Sequence, residues 1–343
     1  MERQVEESLL DAPLKEGLGR EDKLSFLLTI ALSGTGRDDQ DLERVKLLLR
    51  SFRKYFDESE LSRFFVVTTP RDAVVVEGAL RPVLAGDRLE IVNELDVCPE
   101  FASDPDTTTQ WPTPNKGWYR QQLIKLAIHE RIDTPYYMTL DSDVLFVQPF
   151  STRSLIRGGK AALNVQTQAD YHRLYRKKLA AHEVTVRESR YRRAEHILKL
   201  ARKPEYVRQW YGETPVLLNC RIVKALAEHI EATWRKPWRQ ALLDNLPWTE
   251  YPLYFLFAEE RGLLARHYVP GSADSVLRLS QSLWQAADQY VVPRDLTNWD
   301  PGSIFDSGEE GIAVVVQSYL GYPVADIAQR VDPYLRDARQ VAR

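Results

Sequence analysis

Apolar runs that suit buried strands alternate with amphipathic helical patterns along the first half of the chain. Residues 24–30 (LSFLLTI) and 64–68 (FFVVT) are almost continuously apolar, which is typical of strands buried on both faces. Between them, residues 41–56 place their large apolar side chains on one helical stripe. A further strand is predicted at 88–92. This alternation favours an α/β sheet.

A second helix-and-strand unit follows, and it leads into longer helical patterns. Residues 117–131 have helical spacing, Thr134-Pro135 breaks the helix, and strands are predicted at 136–140 and 144–147. No internal repeat is present, and the order favours a single α/β unit. The remaining predicted elements are a strand at 214–220, helices at 221–234 and 248–262, a strand at 311–317 and a helix at 322–343.

Composition narrows the class of protein. The chain has 343 residues, of which 44% are hydrophobic and 28% charged, so it is long enough to bury a large core. Its net charge of -3 predicts no general attraction to nucleic acid. Its two cysteines, Cys98 and Cys220, form no Cys-x-x-Cys pair, which argues against a zinc knuckle or a redox dithiol. Residues 1–23 lack the apolar core of a secretory signal, and no run of 18 apolar residues occurs. We therefore expect a cytoplasmic protein, with peripheral contact at the inner membrane left open.

Three Asp-x-Asp triplets occur, and their contexts separate them. The triplet at 39–41 precedes a helix, where Asp41 suits an N-cap, and the triplet at 104–106 lies in a Pro/Thr-rich stretch. Only the triplet at 141–143 follows an apolar strand and leads into another. Ligands of open α/β sheets bind at the carboxyl ends of strands, and residues i and i+2 project to the same side of an extended chain.

Asp141 and Asp143 are thus predicted to present two hard oxygen ligands to one cation. Mg²⁺ or Mn²⁺ accepts such ligands and completes its coordination with diphosphate oxygens and water. The alternative interpretation is a solvated turn whose carboxylates cap neighbouring backbone.

Residues 117–150 resemble the donor-binding core of GT-A glycosyltransferases, above all a bacterial group of nucleotide-diphospho-sugar transferases distantly related to the family 8 enzymes. In that group, a helix with a basic residue precedes a strand that ends in Asp-x-Asp, as here. The resemblance implies a GT-A (Rossmann-like) fold, a three-layer α/β/α unit with a mixed central sheet and helical insertions. It divides the chain into an N-terminal extension at 1–23, a donor-binding half at 24–165, a helical acceptor region at 166–310, and a closing strand and C-terminal helix at 311–343.

The same resemblance implies roles for individual residues. Asp141 would contact both the donor and the metal, and Asp143 would be the main metal ligand. Family 8 enzymes carry a metal-binding His at the end of the last strand, where this chain has Gln317. Gln317 is the third candidate ligand, but Gln is weaker and neutral, so either the metal is held by fewer protein groups or another residue, such as His267, supplies one. The other residues expected to hold the donor are Ser142, Lys125, Arg120, Gln121, Ser33, Thr35, Thr68 and Thr69.

The reaction also needs an acidic group beside the acceptor. Glu250 is the first candidate because it begins a predicted helix, where a carboxylate is favoured; a plain first-turn Glu is the alternative. Asp170, with Gln166 beside it, is the second candidate and Asp244 the third. Aromatic side chains of the second half could form an acceptor groove or simply pack in the core. They are Trp118, Trp210, Trp234, Trp238, Trp248 and Trp284.

Partners and rival functions follow from these assignments. A UDP-sugar donor and a glycan or lipid-linked acceptor are expected, without nucleic acid. Residues 173–203 hold eleven Lys/Arg and three Glu, which predicts either a solvated helix face or contact with an anionic acceptor or an acidic bilayer. One rival is a non-catalytic module that binds sugar nucleotides or glycans. Another is an Asp-x-Asp phosphohydrolase, which the late position of the triplet disfavours.

Overall fold

The protein is described by a computed structural model that covers residues 22–32, 38–84, 86–103, 116–201 and 209–336. The donor-site candidates Ser33 and Thr35 lie outside these described residues. So does the Asp-x-Asp triplet at 104–106. Within the described ranges, none of the helices has the length and apolar character needed to cross a bilayer.

Strands and helices alternate as the sequence pattern predicts, although several begin or end at other residues than predicted. The strands are β1 Leu24–Ile30, β2 Leu61–Thr68, β3 Leu89–Asn93, β4 Tyr136–Leu140, β5 Val144–Phe146, β6 Ile156–Arg157, β7 Lys160–Leu163, β8 Val165–Gln166, β9 Trp210–Tyr211, β10 Val216–Asn219, β11 Tyr268–Pro270 and β12 Ala313–Val315. The helices are α1 Asp38–Tyr55, α2 Ala73–Leu80, α3 Glu94–Val97, α4 Lys116–Ala127, α5 Thr152–Leu155, α6 Gln168–Leu174, α7 Lys177–Leu198, α8 Cys220–Trp234, α9 Trp238–Leu243, α10 Glu250–Glu260, α11 Leu264–His267 and α12 Val324–Leu335.

The central sheet has the strand order β10-β4-β1-β2-β3, with β10 antiparallel to β4 and the other pairs parallel. The predicted α/β class with a mixed central sheet is therefore confirmed. Helices cover both faces. Phe26 of β1 packs on Phe52 of α1, with ring centroids 4.8 Å apart. Tyr137 of β4 is in register with Ser25, so it faces the other side, where its hydroxyl donates to the backbone carbonyl of Lys125 in α4 at 2.7 Å.

The last predicted strand does not join the central sheet. Only β12 forms within the predicted 311–317 segment, and it pairs antiparallel with β5 in a separate two-stranded sheet. This small sheet begins immediately after the end of β4. It therefore brings a segment from the C-terminal part of the chain against the Asp141–Asp143 turn.

The basic segment is also divided. Tyr175 ends α6, and α7 starts two residues later at Lys177, so the predicted helical region contains two helices. The α7 helix packs on α10. As a result, the basic segment forms one wall above the central sheet and is not a detached helix.

Candidate functional site

A tight turn holds the two aspartates at the carboxyl end of β4. The backbone N–H of Asp141 donates to Thr214 Oγ1 at 3.1 Å, and the N–H of Val144 donates to the carbonyl of Asp141 at 3.3 Å. The N–H of Val316, just after β12, donates to the carbonyl of Asp143 at 3.1 Å. The turn is thus fastened on both sides, and the side chains of residues 141 and 143 have defined positions.

Asp143 is the buried member of the pair. Its residue is 8% exposed, and its Oδ2 accepts from the backbone N–H of Ser318 at 3.1 Å. Burial, followed by the nearby charge of Asp141, raises the pKa of Asp143 to about 7. A buried carboxylate beside a second carboxylate is costly when ionised, and a cation between them would remove that cost.

Gln317 lies next to this buried carboxylate. Its Oε1 accepts from the same Ser318 N–H at 3.0 Å, so the amide oxygen and Asp143 Oδ2 are neighbours. In the described ranges no group of three or more His, Cys, Asp and Glu side chains is arranged to hold a metal ion. Asp141, Asp143 and Gln317 offer two carboxylates and one amide oxygen, which are ligand types that a hard cation accepts.

His267 does not belong to this oxygen cluster. The hydroxyl of Tyr136 donates to the backbone carbonyl of His267 at 2.9 Å, so His267 lies near the start of β4. The aspartates follow the other end of that five-residue strand, which spans about 13 Å at the usual rise per residue. His267 lines a different cavity, so the structure does not bring it to the aspartates.

Lys125 links Asp141 to Glu250. Its ammonium Nζ lies 2.8 Å from Asp141 Oδ1 and 3.1 Å from Glu250 Oε1. Lys125 is 4% exposed; burial lowers its pKa, but Asp141, Tyr251 and Glu250 together outweigh this and hold the pKa well above its usual value. The lysine is therefore cationic, and one buried charge positions two carboxylates from distant parts of the chain.

The position of Glu250 is set by the start of α10. Thr249 is the N-cap residue, and the backbone N–H of Glu250 donates to Gln122 Oε1 of α4 at 3.1 Å. The next residue, Tyr251, shares a 2.8 Å hydroxyl contact with Thr139 of β4. The carboxylate therefore points from a buried helix start towards Lys125, in agreement with the sequence-based expectation of an acidic helix start.

These groups form the floor of a cleft of about 280 Å³. Arg187 and Arg190 of α7 line this cleft, together with the aromatic side chains of Trp284 and Tyr319. The other lining residues are Trp118, Lys125, Asp141, Tyr171, Tyr175, Glu183, Tyr211, Gly212, Glu213, Thr214, Thr249, Glu250, Tyr251, Pro252, Leu279, Gln285 and Gln317. A polar floor between aromatic and cationic walls suits a phosphorylated or sugar ligand.

Several predicted donor residues have other surroundings. Arg120 forms a salt bridge with Glu94 at 3.3 Å, and neither Arg120 nor Gln121 lines the cleft. Thr68 is buried at the end of β2, and its hydroxyl has no partner among the described residues. Ser142 lies within the turn, half-buried between the two aspartates. The donor-binding roles of these residues stay predictions.

The second and third acidic candidates have structural partners. Asp170 forms a capping box with Thr167, whose backbone N–H and hydroxyl both donate to Asp170 Oδ2 at 2.8 Å. Gln166 is buried, and its Oε1 accepts a hydrogen bond from the hydroxyl of Tyr171. Asp244 pairs with Lys236 at 2.6 Å at the surface. The structure brings neither aspartate to the cleft lining, whereas Glu250 is there.

Tryptophans divide between groove and core. Trp118 and Trp284 line the cleft, and Trp118 is 40% exposed. Trp210, Trp238 and Trp248 are buried. The remaining one, Trp234, is half-buried and donates from Nε1 to the carbonyl of Ile197 at 2.9 Å. Two of the six residues are therefore in position to contact a bound sugar.

The basic segment contributes cleft residues that the sequence did not single out. Arg187 forms an ion pair with Glu213 at the cleft, and Arg193 donates to the backbone carbonyls of residues 245–247. Arg192 pairs with Glu195. These three arginines bind acceptor groups of the protein itself. Fewer positive charges of the segment are therefore left for the predicted contact with a bilayer. In the sequence, only the excess of arginine in 187–193 indicated that this segment could line a binding site.

Comparison with known proteins places the chain in a family and gives similar folds. A family model described as a family of unknown function (DUF6492) matches residues 21–339. No curated protein matches the chain.

Solved structures with a similar fold include three transferases. Mouse xyloside xylosyltransferase 1 is 12% identical, with a TM-score of 0.47 over 88% of this chain and 100% of that one. The galactosyltransferase LgtC, solved with donor and acceptor sugar analogues, is 11% identical, with a TM-score of 0.45 over 93% and 99%. The mannosyltransferase Ktr4p of S. cerevisiae is 11% identical, with a TM-score of 0.39 over 74% and 73%. At these scores no residue role passes from those proteins to this chain.

The raised pKa of Asp143 predicts a pH dependence of stability without divalent cations. The contribution is fully present below the unfolded value of 3.8 and is lost as the pH rises through about 7, because the folded state retains a proton that the unfolded chain releases. With a chelator present, we expect the free energy of unfolding to fall by about 2–3 kcal/mol between about pH 5 and about pH 8 from this group. Urea denaturation at both pH values measures the change.

The variant Asp143→Asn should flatten that fall. Asp244→Asn is the matched control, because Asp244 is a surface carboxylate whose pKa is lowered by its hydrogen bonds with Lys236 and Gln240 despite partial burial. It should leave the change between the two pH values as in the parent protein. An Asp143→Asn protein with an undiminished fall would contradict the assignment of the proton to Asp143.

Proposed function

The chain belongs to a family of unknown function (DUF6492), and we propose that it is a GT-A-type glycosyltransferase. It transfers a sugar from a nucleotide diphosphate, UDP in the first instance, to a glycan or lipid-linked acceptor. One observation carries the proposal: Asp141, which begins the two-aspartate turn after a central strand, is joined through Lys125 to Glu250, and all three residues line one cleft. Such an enzyme would act in the cytoplasm, at the inner membrane where the acceptor is lipid-linked.

A divalent cation fits this site. The paired oxygens of Asp141 and Asp143, with the amide oxygen of Gln317 beside them, are hard ligands of the kind that Mn²⁺ and Mg²⁺ prefer. The raised pKa of Asp143 supports the fit, since burial and the charge of Asp141 outweigh the opposing effects of the Ser318 N–H and of Arg44. When bound, the ion would supply Lewis-acid stabilisation of the leaving diphosphate.

Lys125 and Glu250 would act on the sugar side of the site. The ammonium of Lys125 orients Asp141 and Glu250, and its positive charge favours an anionic donor nearby. Glu250 would take the proton of the acceptor hydroxyl in an inverting reaction. In a retaining reaction it would stabilise the positive charge that develops on the sugar ring.

The metal part of the proposal predicts a ligand-dependent gain in thermal stability. Mn²⁺ with UDP should raise the melting temperature by several degrees, because ligand at a hundred times its Kd stabilises a folded protein by about 2.7 kcal/mol. Asp143→Ala should remove the Mn²⁺-dependent part of the shift. Asp244→Ala, the surface control, should retain it, and equal shifts in all three proteins would refute the site.

Glu250→Gln tests the chemical step separately from binding. The substitution keeps the shape of the side chain but removes the group that accepts a proton, so release of UDP from a UDP-sugar should slow by about 10²–10⁴-fold. The affinity for UDP with Mn²⁺ should be nearly unchanged. Glu260→Gln, at the exposed far end of the same helix, is the control.

Two results would count against a catalytic Glu250. Full turnover by Glu250→Gln would remove this residue from the reaction. Parent protein that binds UDP with Mn²⁺ and releases no nucleotide from any UDP-sugar would favour the non-catalytic sugar-nucleotide module.

A further inference from the structure

Arg190 is a cation on the cleft wall that the proposed reaction does not use. It lies on α7, and its guanidinium carbon is 5.9 Å from the centre of the Trp118 ring. Across the described part of the chain, it has no salt bridge and donates no hydrogen bond, so the five N–H groups of its fork have no protein acceptor there. A half-buried guanidinium without a carboxylate is costly unless a ligand supplies the acceptor oxygens.

The other cations of the cleft already have partners. Lys125 lies between Asp141 and Glu250, and Arg187 is paired with Glu213. The remaining acid on the α7 wall, Glu183, accepts from the side-chain amide of Gln285 at 3.3 Å and forms no salt bridge with a described residue. Arg190 is therefore the cleft cation left for a ligand.

The surroundings of Arg190 indicate which part of the site it serves. Burial and then the charge of Arg187 lower the pKa of its guanidinium, while Glu183 and Glu250 are the acids that act in the opposite direction. Arg190 and Glu250 line the same cleft, and Glu250 is the residue proposed to act on the acceptor hydroxyl, so an acceptor bound there is within the same cleft as Arg190.

We propose that Arg190, beside the exposed ring of Trp118, recognises an anionic group, carboxylate or phosphate, on the acceptor sugar. The planar fork of arginine binds either oxyanion through two parallel charge-assisted hydrogen bonds, and an indole face packs against the C–H surface of a sugar ring. This inference rests on the proposed glycosyltransferase function, because it names the class of acceptor for that same cleft.

The binding of two sugars that differ in one charged group tests this proposal without a measurement of enzymatic turnover. Methyl β-glucuronide and methyl β-glucoside differ in one carboxylate, and glucose 6-phosphate supplies the phosphate form. Ligand-observed NMR at millimolar concentrations should show that the parent protein binds at least one anionic sugar about tenfold more tightly than the glucoside, as expected for a charge-assisted pair. Arg190→Gln should bind charged and neutral sugars equally, and Arg190→Lys should retain part of the preference because it keeps the charge but loses the fork.

The control is Arg173→Gln, which removes an exposed arginine whose surface ion pair with Asp170 contributes little. It should keep the full preference. Three results would overturn the inference: no binding of either anionic sugar by the parent protein, equal binding of charged and neutral sugars, or an undiminished preference in Arg190→Gln.

A parallel titration with UDP and Mn²⁺ separates this inference from the proposed function. Arg190→Gln should bind UDP as the parent protein does. If its UDP affinity falls while the sugar preference is unchanged, the anion recognised belongs to the donor, and the acceptor assignment is wrong. If no protein binds UDP with Mn²⁺ but the preference for anionic sugars depends on Arg190, the proposed function fails and the anion site stands.

Discussion

The ammonium group of Lys125 is buried between two carboxylates that are more than a hundred residues apart in the chain. Asp141 lies at the end of a strand and Glu250 at the start of a helix, and each is within 3.1 Å of the same nitrogen. Two acids so close would repel each other without the lysine. Lys125 therefore joins α4, β4 and α10 together with the Glu250–Gln122 and Tyr251–Thr139 hydrogen bonds.

The two aspartates share a turn but not an environment. Asp141 has a side chain that is 37% exposed and already has a countercharge in Lys125, whereas Asp143 is buried against the backbone of Ser318. Asp141 lines the cleft, whereas Asp143 does not. In the proposed metal site the buried Asp143 would hold the ion, and the more exposed Asp141 would connect it to the sugar.

The strands that position this site could be predicted from the sequence, because their side chains are buried on both faces and read as continuous apolar runs. The β1 and β4 strands occupy the predicted residues, and the Asp141–Asp143 turn follows β4 as expected. The interpretation of Glu250 as an acid at a helix start also agrees with the structure. Local patterns sufficed here because a strand end and a helix start are local features.

Long-range pairing could not be predicted in the same way. The salt bridge of Arg120 with Glu94 and the pairing of β12 with β5 join segments whose contact no local pattern encodes. For the same reason the sequence did not predict that arginines of α7 line the cleft. A run of arginines is typical of a solvated helix face, but in the fold Glu213 and the carbonyls of residues 245–247 bind two of them. Charge composition indicated the segment but not which arginine faces a ligand.

The central claim is that Asp141 and Asp143 share one divalent cation with a nucleotide diphosphate. Anomalous diffraction at the manganese edge, from crystals grown with Mn²⁺ and UDP, tests it most directly. The account predicts a single strong peak between the carboxylates of these two residues, with diphosphate oxygens completing the coordination. A peak elsewhere in the molecule, or UDP bound in the cleft with no manganese beside Asp143, would contradict it.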